Sequence, residues 1–421
     1  MCYFTGIFIS LFGTGMNFAG VSLYVLGKTH STVQVSFTVI LLTLPRLVVP
    51  PFGGVLTDRV DRRYLSIALD LVRAAIVFAA AALAWRGELE LWQLYLMVLL
   101  VGAGFAIYWS SSLALLQELI PVKQLVGANS AVLIAVQAGM LLAGALVGFI
   151  YERAGLAGIL AIDGTTYVLS AGLFYLLRHG YLSPQRPTAE SRAELPAEPE
   201  RAPISILETM EPNPARGVLR DIEEGLHYLR TQPAVLALGL TYACMMAGVI
   251  SANVIVVALA SDLLHVGARG YGFIEAGWAL GAVAGGFAAA KLSRRRPFTV
   301  MIASLFVLAC GHALFPYAGF LVAAVVLNAL FGACRAIVAV LTQSSILAAV
   351  PSRLMGRTQS AFAVMATVLQ VVMSLLLGWL AQHSSLQIAF LMLGLLYAAA
   401  IVAAMRARDL STAPATQVPA V

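Results

Sequence analysis

The chain has 421 residues, of which 60 % are hydrophobic and 11 % are charged, and its mean hydropathy is +0.89. Soluble globular domains contain about 45–50 % apolar and about 25 % charged residues, so this composition argues against a soluble enzyme or a nucleic-acid-binding domain. The net charge of +6 does not require an anionic partner, since basic loop residues also set the orientation of membrane proteins. At about 20 residues per membrane-spanning helix, the length predicts a polytopic membrane protein with roughly a dozen spans.

Twelve apolar stretches are long enough to cross a membrane. Because backbone groups in lipid must be satisfied within the spanning segment, continuous apolar runs of this length predict helices, whereas barrel strands would alternate. The sequence therefore predicts an all-α membrane protein with twelve transmembrane helices. The predicted spans cover about 3–26, 33–54, 64–85, 91–117, 128–151, 156–178, 234–262, 271–291, 298–316, 319–349, 358–382 and 386–405.

The basic residues predict the orientation of these spans. Most of the 26 lysines and arginines lie in loops after even-numbered spans or in the C-terminal tail. Loops after odd-numbered spans hold only Lys28, Arg86, Arg153 and Arg269. Since cytoplasmic loops carry the excess of Lys and Arg, both termini and the central loop are expected in the cytoplasm.

A polar segment divides the chain into two sets of six spans. Residues from about 180 to 215 contain seven of the 17 prolines and hardly any large apolar residue, which predicts an extended linker. The segment that follows, 217–233, has an apolar helical face and predicts an amphipathic helix at the membrane interface. The predicted organisation is an N-terminal half (1–179), a cytoplasmic linker (180–233), a C-terminal half (234–406) and a cytoplasmic tail (407–421).

The residues that usually carry enzyme or metal chemistry show no pattern. Cys2, Cys244, Cys310 and Cys334 stand alone, and the six histidines are scattered without metal-ligand spacing. No Walker signature is present, so ATP hydrolysis by this chain is not expected to drive its activity. The sequence predicts no catalytic residue, no metal site, no cofactor and no nucleic-acid partner.

The two halves match each other weakly. Residues 53–63 align without gaps on residues 285–295, and the second copy keeps the basic residues but has Ala290 in place of Asp58. Orientation needs only positive charge. A carboxylate kept in one copy therefore suggests a role specific to the N-terminal half.

The loop between spans two and three carries a family resemblance. Residues 53–63 read GGVLTDRVDRR and resemble the G-x-L-x-D-R-x-G-R-R signature of the major facilitator superfamily. An aspartate at the second glycine, here Asp61, is common in the branch that exports macrolides and siderophores, including enterobactin exporters. Residues 44–46 (Leu-Pro-Arg) and 128–130 (Ala-Asn-Ser) also resemble that branch of drug–proton antiporters.

The resemblance implies a conformational role for this loop. Gly54 lets two helices approach closely, and Asp58 is expected to pair with Arg62 or to meet the N-terminus of a helix from the other half. Such a latch would close the cytoplasmic side in one state and break in the other. The alternative is that Arg59, Arg62 and Arg63 only enforce topology.

The resemblance also implies an activity. Two six-helix halves would rock around a central site near the bilayer midplane. It favours proton-coupled export of a small apolar or amphiphilic molecule, of the drug or siderophore type, by a monomer in the lipid of the bacterial inner membrane. The expected partners are thus a small-molecule substrate, protons and membrane lipid.

Three features depart from the antiporter pattern. The glycine- and proline-rich stretch of span five is reduced to small residues such as Gly139, Gly144 and Gly148. Span one has Gly13 followed by Thr14 where related exporters often carry an acidic residue, and span four lacks a basic residue that is frequent in drug antiporters. The sequence therefore does not identify the residue that would carry a proton.

Ionisable residues inside spans are costly and are functional candidates. Asp70 and Arg73 lie three positions apart on one helical face, and Arg46 is expected at a similar depth. We expect Asp70 to pair with Arg73 or Arg46, either as a structural pin or in proton or substrate coupling. The aromatic residues Tyr108 and Trp278 are expected to pack or to face lipid, with a pocket-lining role as the alternative.

Other candidates lie elsewhere in the spans. Arg335 in span ten needs a carboxylate, a helix end or an anionic substrate group. Glu275 and Asp163 are expected to reach interfacial water near the outer ends of their spans, with coupling as the alternative. Asn17 and Gln343 are candidates for the central cavity, although such residues more often bond neighbouring helices.

Three other classes of function have weaker support from the sequence. A lysophospholipid flippase or other lipid-handling transporter would use an opening between helices toward the bilayer. A membrane-embedded enzyme is disfavoured because no constellation of catalytic residues lies at one depth. A sensor or scaffold would depend on the central linker rather than on the spans.

Overall fold

A computed structural model describes residues 2–45, 47, 49, 60–120, 125–177, 229–292, 296–351 and 354–412. All regular secondary structure in these residues is helical. A π-helical turn, Leu259–Leu263, extends the sixth helix, and a 3-10 turn, Phe315–Tyr317, extends the eighth. The helices are α1 (Cys2–Thr29), α2 (Thr32–Thr43), α3 (Arg62–Arg86), α4 (Leu91–Leu119), α5 (Leu125–Leu176), α6 (Pro233–Ala258), α7 (Gly267–Leu292), α8 (Pro297–Leu314), α9 (Leu321–Ala349), α10 (Met355–His383) and α11 (Leu386–Thr412).

These helices account for the twelve predicted passes. Ten helical segments of the described chain are long and apolar enough to cross a membrane, and α2 is a shorter apolar helix. One of the ten, α5, is broken at Gly155, whose φ of 59° and ψ of −162° are not helical. The break separates a first arm (125–154), which provides the fifth pass, from a second arm (156–176), which provides the sixth. On α1, Gly6 lies beside Phe174 and Gly20 beside Ile159, so the second arm runs antiparallel to α1.

Local signals explain where several helices begin and end. The Asp61 carboxylate accepts hydrogen bonds from Arg63 N (2.9 Å) and Tyr64 N (3.3 Å), which caps the first turn of α3. Gly87 ends α3 in the left-handed region with φ of 75°, a conformation that glycine adopts at little cost. Pro233 and Pro297 begin α6 and α8. Proline is tolerated there because the N–H of the first helical residue has no partner within the helix.

The helices form two packed groups, α1–α5 and α6–α11. We call these groups the N-half and the C-half. The short connections at one end of the bundle define the turn face, and the opposite end is the linker face. The predicted linker and most of its amphipathic helix lie outside the described residues, and α11 continues six residues past the predicted boundary at 406. The turn face carries residues 30–31, 87–90, 155, 264–266, 318–320 and 384–385.

Candidate functional site

A charge pair lies in the dry interior of the N-half. Asp70 and Arg73 of α3 are both 0 % exposed, and an Arg73 Nη donates to the Asp70 carboxylate. The expected pairing of Asp70 with Arg73 is therefore present. Arg46, the other expected partner, lies outside the described residues.

Two tyrosine rings enclose the Arg73 guanidinium. Its Cζ lies 4.3 Å from the ring centre of Tyr108 on α4 and 4.4 Å from that of Tyr167 on the second arm of α5. Gly104 of α4 leaves room for the Arg73 stem, since a Cβ there would lie 3.0 Å from Arg73 Cγ. Cation–π contact with the two rings stabilises this buried cation.

A second carboxylate is enclosed beside this pair. Asp163, on the second arm of α5, is 0 % exposed, which corrects the expectation that it reaches interfacial water. The physical reason is Gly13 of α1, which lets α5 approach so closely that a Cβ there would lie 2.6 Å from Asp163 Oδ1. Asp163 Oδ2 accepts a hydrogen bond from Asn17 Nδ2 at 2.5 Å, while Oδ1 has no partner among the described residues.

A narrow cleft lies beside this cluster. The Thr14 hydroxyl bonds Tyr167 Oη at 3.0 Å, and both Thr14 and Asn17 line the cleft. Its volume of about 20 Å³ suffices for about one water molecule. Asn17 thus bonds a buried carboxylate and borders a cleft whose lining is largely apolar. The other lining residues are Phe18, Val21, Thr38, Leu42, Met97, Val98 and Val101.

The C-half holds a different kind of cation. Arg335 of α9 lies over the ring of Trp278 on α7, with Cζ 5.0 Å from the ring centre. The phenol groups of Tyr242 and Tyr397 are within electrostatic reach of the guanidinium. Within the described chain, Arg335 makes no ion pair or hydrogen bond, and its buried Nε has no acceptor.

Glu275 of α7 lies at the contact between the two halves. A Cβ on Gly144, in the first arm of α5, would lie 3.1 Å from Glu275 Cβ. The side chain is half-buried and makes no hydrogen bond or ion pair with a described residue. Glu275 and Arg335 are therefore not paired to each other in the described structure.

Hydrogen bonds along α2 and α10 join the two halves. Ser31 Oγ bonds Gln382 Oε1 at 2.6 Å, and Thr32 Oγ1 donates to Gly378 O at 2.6 Å. Deeper in the bundle, Gln370 Nε2 donates to Thr43 Oγ1 at 2.6 Å. Among described residues, the hydrogen bonds between the halves thus run from the turn face to the middle of the bundle.

A second contact between the halves joins the first arm of α5 to α7. Gly144 and Gly148 let the backbone of α7 approach closely, and a Cβ on Gly144 would lie 2.9 Å from Ala276 N. Beyond them, toward the turn face, Arg269 Nε pairs with Glu152 Oε2 at 2.6 Å. The small residues of span five, which depart from the antiporter pattern by lacking proline, seat one half against the other.

The predicted loop motif is described only in part. Gly54, Asp58 and Arg59 lie outside the described residues. Arg62 pairs with Glu118 of α4 at 2.6 Å, and the guanidinium of Arg63 lies 4.5 Å from the ring centre of Tyr64.

The remaining sequence candidates are less constrained. Gln343 of α9 is half-buried and bonds no described side chain or backbone group. In the described part of the chain, no group of three or more His, Cys, Asp or Glu side chains is placed to hold a metal ion.

Sequence reasoning missed part of the N-half cluster. It identified Asp70, Arg73 and Asn17 as candidates, but it placed Asp163 near water and did not consider Tyr167. A signal was present, because Gly13 shows where another helix can approach α1. Nothing in the sequence alone says which helix does so.

Comparisons with known proteins agree with this architecture. A model of the Major Facilitator Superfamily matches residues 3–369 and, in an overlapping match, residues 238–420. The chain is 26 % identical over 216 residues to an uncharacterized MFS-type transporter, YfiS, of Bacillus subtilis, covering 51 % of this chain and 45 % of the relative. It is 24 % identical over 230 residues to macrolide efflux protein A of Streptococcus pyogenes, covering 55 % and 51 %. The chain spans about half the length of these curated relatives.

Solved structures share the fold at low sequence identity. A nucleoside transporter, NupG (D323A mutant), superposes with a TM-score of 0.70 at 13 % identity, covering 97 % of this chain and 98 % of that one. A POT family transporter, PepTSo, gives 0.68 at 12 % identity, covering 98 % and 99 %. An inward-facing bacterial homologue of the lysosomal transporter Spinster gives 0.59 at 13 % identity, covering 97 % and 95 %. These structures share the fold, and the match of the family model over most of the chain shows that the protein belongs to the Major Facilitator Superfamily and is a multi-pass membrane protein.

Proposed function

We propose that this chain is a proton-coupled exporter of small apolar or amphiphilic compounds, of the drug or siderophore type, that works by alternating access. The observation that carries the proposal is the contact between the halves near the turn face, where the described hydrogen bonds of α2 with α10 and the Arg269–Glu152 ion pair lie. A transporter closed at one face and able to part at the other can expose a central site to one side at a time.

We infer the direction of transport from the expected orientation. With the basic loops in the cytoplasm, as the sequence predicts, the described contacts at the turn face would lie on the outer side of the bacterial inner membrane. A state closed there suits an exporter that collects its substrate from inside the cell. The name of the streptococcal relative supports export, and we infer that the protein works as a monomer.

The N-half cluster supports proton coupling. Its enclosed charges are two carboxyl groups, Asp70 and Asp163, and one guanidinium, Arg73. Arg73 balances one carboxylate, so a second ionised carboxylate would leave an uncompensated charge in a dry interior, which is costly. One proton removes the excess, and Asp163, bonded to Asn17 at the cleft, is placed to take it up.

Protonation of Asp163 would affect the contact between the halves through α1. Asn17 lies on α1, and α1 packs against α6 of the C-half. The Asn17 amide N–H donates to an ionised Asp163, and protonation weakens that charge-assisted bond. Protonation of Asp163 would thereby loosen α1 from α5 and bias the two halves toward the other state.

The loop 53–63 is proposed to act on the opposite face. Asp58 and Arg59 would hold the linker face closed when the turn face opens, as the family resemblance implies. We expect Asp58→Asn to abolish export while leaving the protein in the membrane, because the latch stabilises only the state in which the linker face is closed.

Transport assays in proteoliposomes test the coupling. An outward proton gradient should drive uphill movement of a labelled macrolide or siderophore by the natural protein, and a protonophore should abolish it. Asp163→Asn should lose uphill transport but keep downhill exchange, because a permanently neutral side chain cannot carry a proton. Asp262→Asn is the matched control, since Asp262 is exposed at the turn face.

Two outcomes would contradict the proposal. Uphill transport that persists in the protonophore would exclude proton drive. Normal uphill transport by Asp163→Asn would move the proton-carrying role away from this cluster. If no drug or siderophore is moved, labelled lysophospholipid is the next substrate to test.

A further inference from the structure

The two interior arginines of this protein differ in whether they have a counter-charge. Arg73 is ion-paired with Asp70 and lies beside two tyrosine rings, although its buried Nε and Nη1 have no described acceptor, whereas Arg335 makes no ion pair or hydrogen bond with a described residue. Of the guanidinium nitrogens of Arg335, only Nε is enclosed without a partner, and the residue keeps partial exposure. Its terminal nitrogens are therefore open to an incoming group.

The position of Arg335 on α9 shows that it points into the protein rather than into lipid. Asn328, Arg335 and Thr342 are spaced by seven residues and share one helical face. Asn328 Nδ2 donates to Ile274 O at 2.8 Å, and Thr342 Oγ1 lies 3.2 Å from the sulfur of Met301. Of these three interior polar side chains, Arg335 alone is left without a hydrogen-bond partner in the described structure.

The platform beneath the guanidinium is held in place by backbone packing. At Gly332 a Cβ would lie 2.9 Å from Ala282 N, and at Gly277 it would lie 2.7 Å from Val325 O, so α7 and α9 are in close contact. This contact fixes Trp278 relative to Arg335. A guanidinium over an indole face keeps N–H groups free to bind a planar anion through two hydrogen bonds.

No described carboxylate forms an ion pair with Arg335. Glu275 lies on α7 three residues before Trp278, but it sits against the N-half at Gly144 and makes no ion pair with Arg335. A cation left without a partner inside a membrane protein is expensive. A ligand with an anionic group would supply the missing charge.

We propose that Arg335 and Trp278 form a binding site for the anionic head group, carboxylate or phosphate, of an amphiphilic substrate. This inference rests on the proposed function and deepens it, because it names the charge that the exported molecule carries. The apolar body of the ligand would pack beside Trp278 and neighbouring aromatic side chains such as Tyr242 and Tyr397. The class includes aromatic and fatty acids and anionic lysolipids, and it disfavours cationic drugs.

Three pyrene compounds with the same apolar body test the head group. They are 1-pyrenebutyric acid, its methyl ester and 1-pyrenebutylamine, and binding to the detergent-solubilised full chain is followed by energy transfer from tryptophan. We expect the acid to bind at least about tenfold more tightly than the ester or the amine, since a charge-assisted pair in a dry site contributes on the order of a factor of ten. Arg335→Gln should remove this preference, and Arg335→Lys should restore part of it.

Matched variants separate a binding role from a structural one. Lys291→Gln removes an exposed cation from α7 and should leave the preference unchanged. Trp278→Phe keeps a ring under the guanidinium and should weaken binding of the acid less than Arg335→Gln does. Displacement of the acid by lysophosphatidylglycerol but not by lysophosphatidylcholine would identify a lipid phosphate as the anion, whereas displacement by aromatic acids alone would identify a soluble carboxylate. Either result supports the site.

Equal affinities for the acid and the amine, or no measurable binding of the acid by the folded natural chain, would overturn the proposal. An unchanged preference in Arg335→Gln would also overturn it. Because binding is measured without any gradient, a failure of proton coupling would leave this result standing. Conversely, a failure of anion binding would leave proton-driven export of an uncharged compound intact.

Discussion

Arg73 and Arg335 place the same side chain inside the two halves of one membrane protein, but in different surroundings. Arg73 has a carboxylate partner and two tyrosine rings beside its guanidinium, and it is fully buried. Arg335 has one aromatic platform, no described anion and partial exposure. The difference indicates that the role of an intramembrane charge is best judged from the groups that contact it. An ion-paired and fully buried cation holds its helix in place even though Arg73 Nε and Nη1 have no described acceptor, whereas a partly exposed cation without an ion pair is available for a ligand.

The largest effect is expected when the N-half pair is broken. Arg73→Met leaves Asp70 as an uncompensated buried carboxylate, which should lower the free energy of unfolding by about 3–5 kcal/mol. The measurement is unfolding of the purified protein in an SDS titration. The double variant with Asp70→Asn removes both charges and should recover most of the loss. If the single variant were as stable as the natural protein, the pair would not be a structural pin.

A smaller loss is expected at the second carboxylate. Asn17→Ala removes the hydrogen bond to Asp163 Oδ2 and should cost about 2 kcal/mol, because the bond involves a buried, ionisable group. The same titration measures it. Asn253→Ala is the control, since the Asn253 amide bonds only the backbone of its own helix, at Val249 and Ile250. Equal losses in the two variants would mean that the Asp163 contact contributes nothing specific.

The two tyrosines that enclose Arg73 should respond differently to loss of the hydroxyl. Tyr167→Phe keeps the ring but removes the bond to Thr14, so we expect a loss of about 1 kcal/mol. Tyr108→Phe should be close to neutral, because the Tyr108 hydroxyl is buried without a described partner. Thermal unfolding of the two variants in parallel checks the order, and the reverse order would refute this assignment of the hydroxyl contacts.

The smallest effect on stability is expected at Arg335. Arg335→Met removes a cation that has no described counter-charge, so the free energy of unfolding should change by at most about 1 kcal/mol, in the stabilising direction. The same SDS titration, run beside Arg73→Met, gives the contrast directly. A loss as large as that of Arg73→Met would show that Arg335 has a structural partner and would remove the contrast between the halves.

Much of the Asp70–Arg73 site could be predicted, whereas its neighbours could not. Residues three apart on one helix share a face whatever the fold, so the pairing follows from the spacing. Asp163, Asn17 and Tyr108 belong to three different helices, and only packing brings them together. The prediction for Asp163 was wrong because its depth was judged from its distance to the span end, without the cover that α1 provides at Gly13.

The sequence alone determined the number of spans, the two-part organisation and the family, because lipid leaves the backbone few alternatives and because loop motifs are local. It also contained the helix boundaries, such as the Asp61 cap and the Gly87 stop, since these depend on neighbouring residues. Only the tertiary structure decided what encloses each charge. The rings beside Arg73 and Arg335 come from helices far apart in sequence, so packing alone determines that Arg73 is fully buried whereas Arg335 keeps partial exposure.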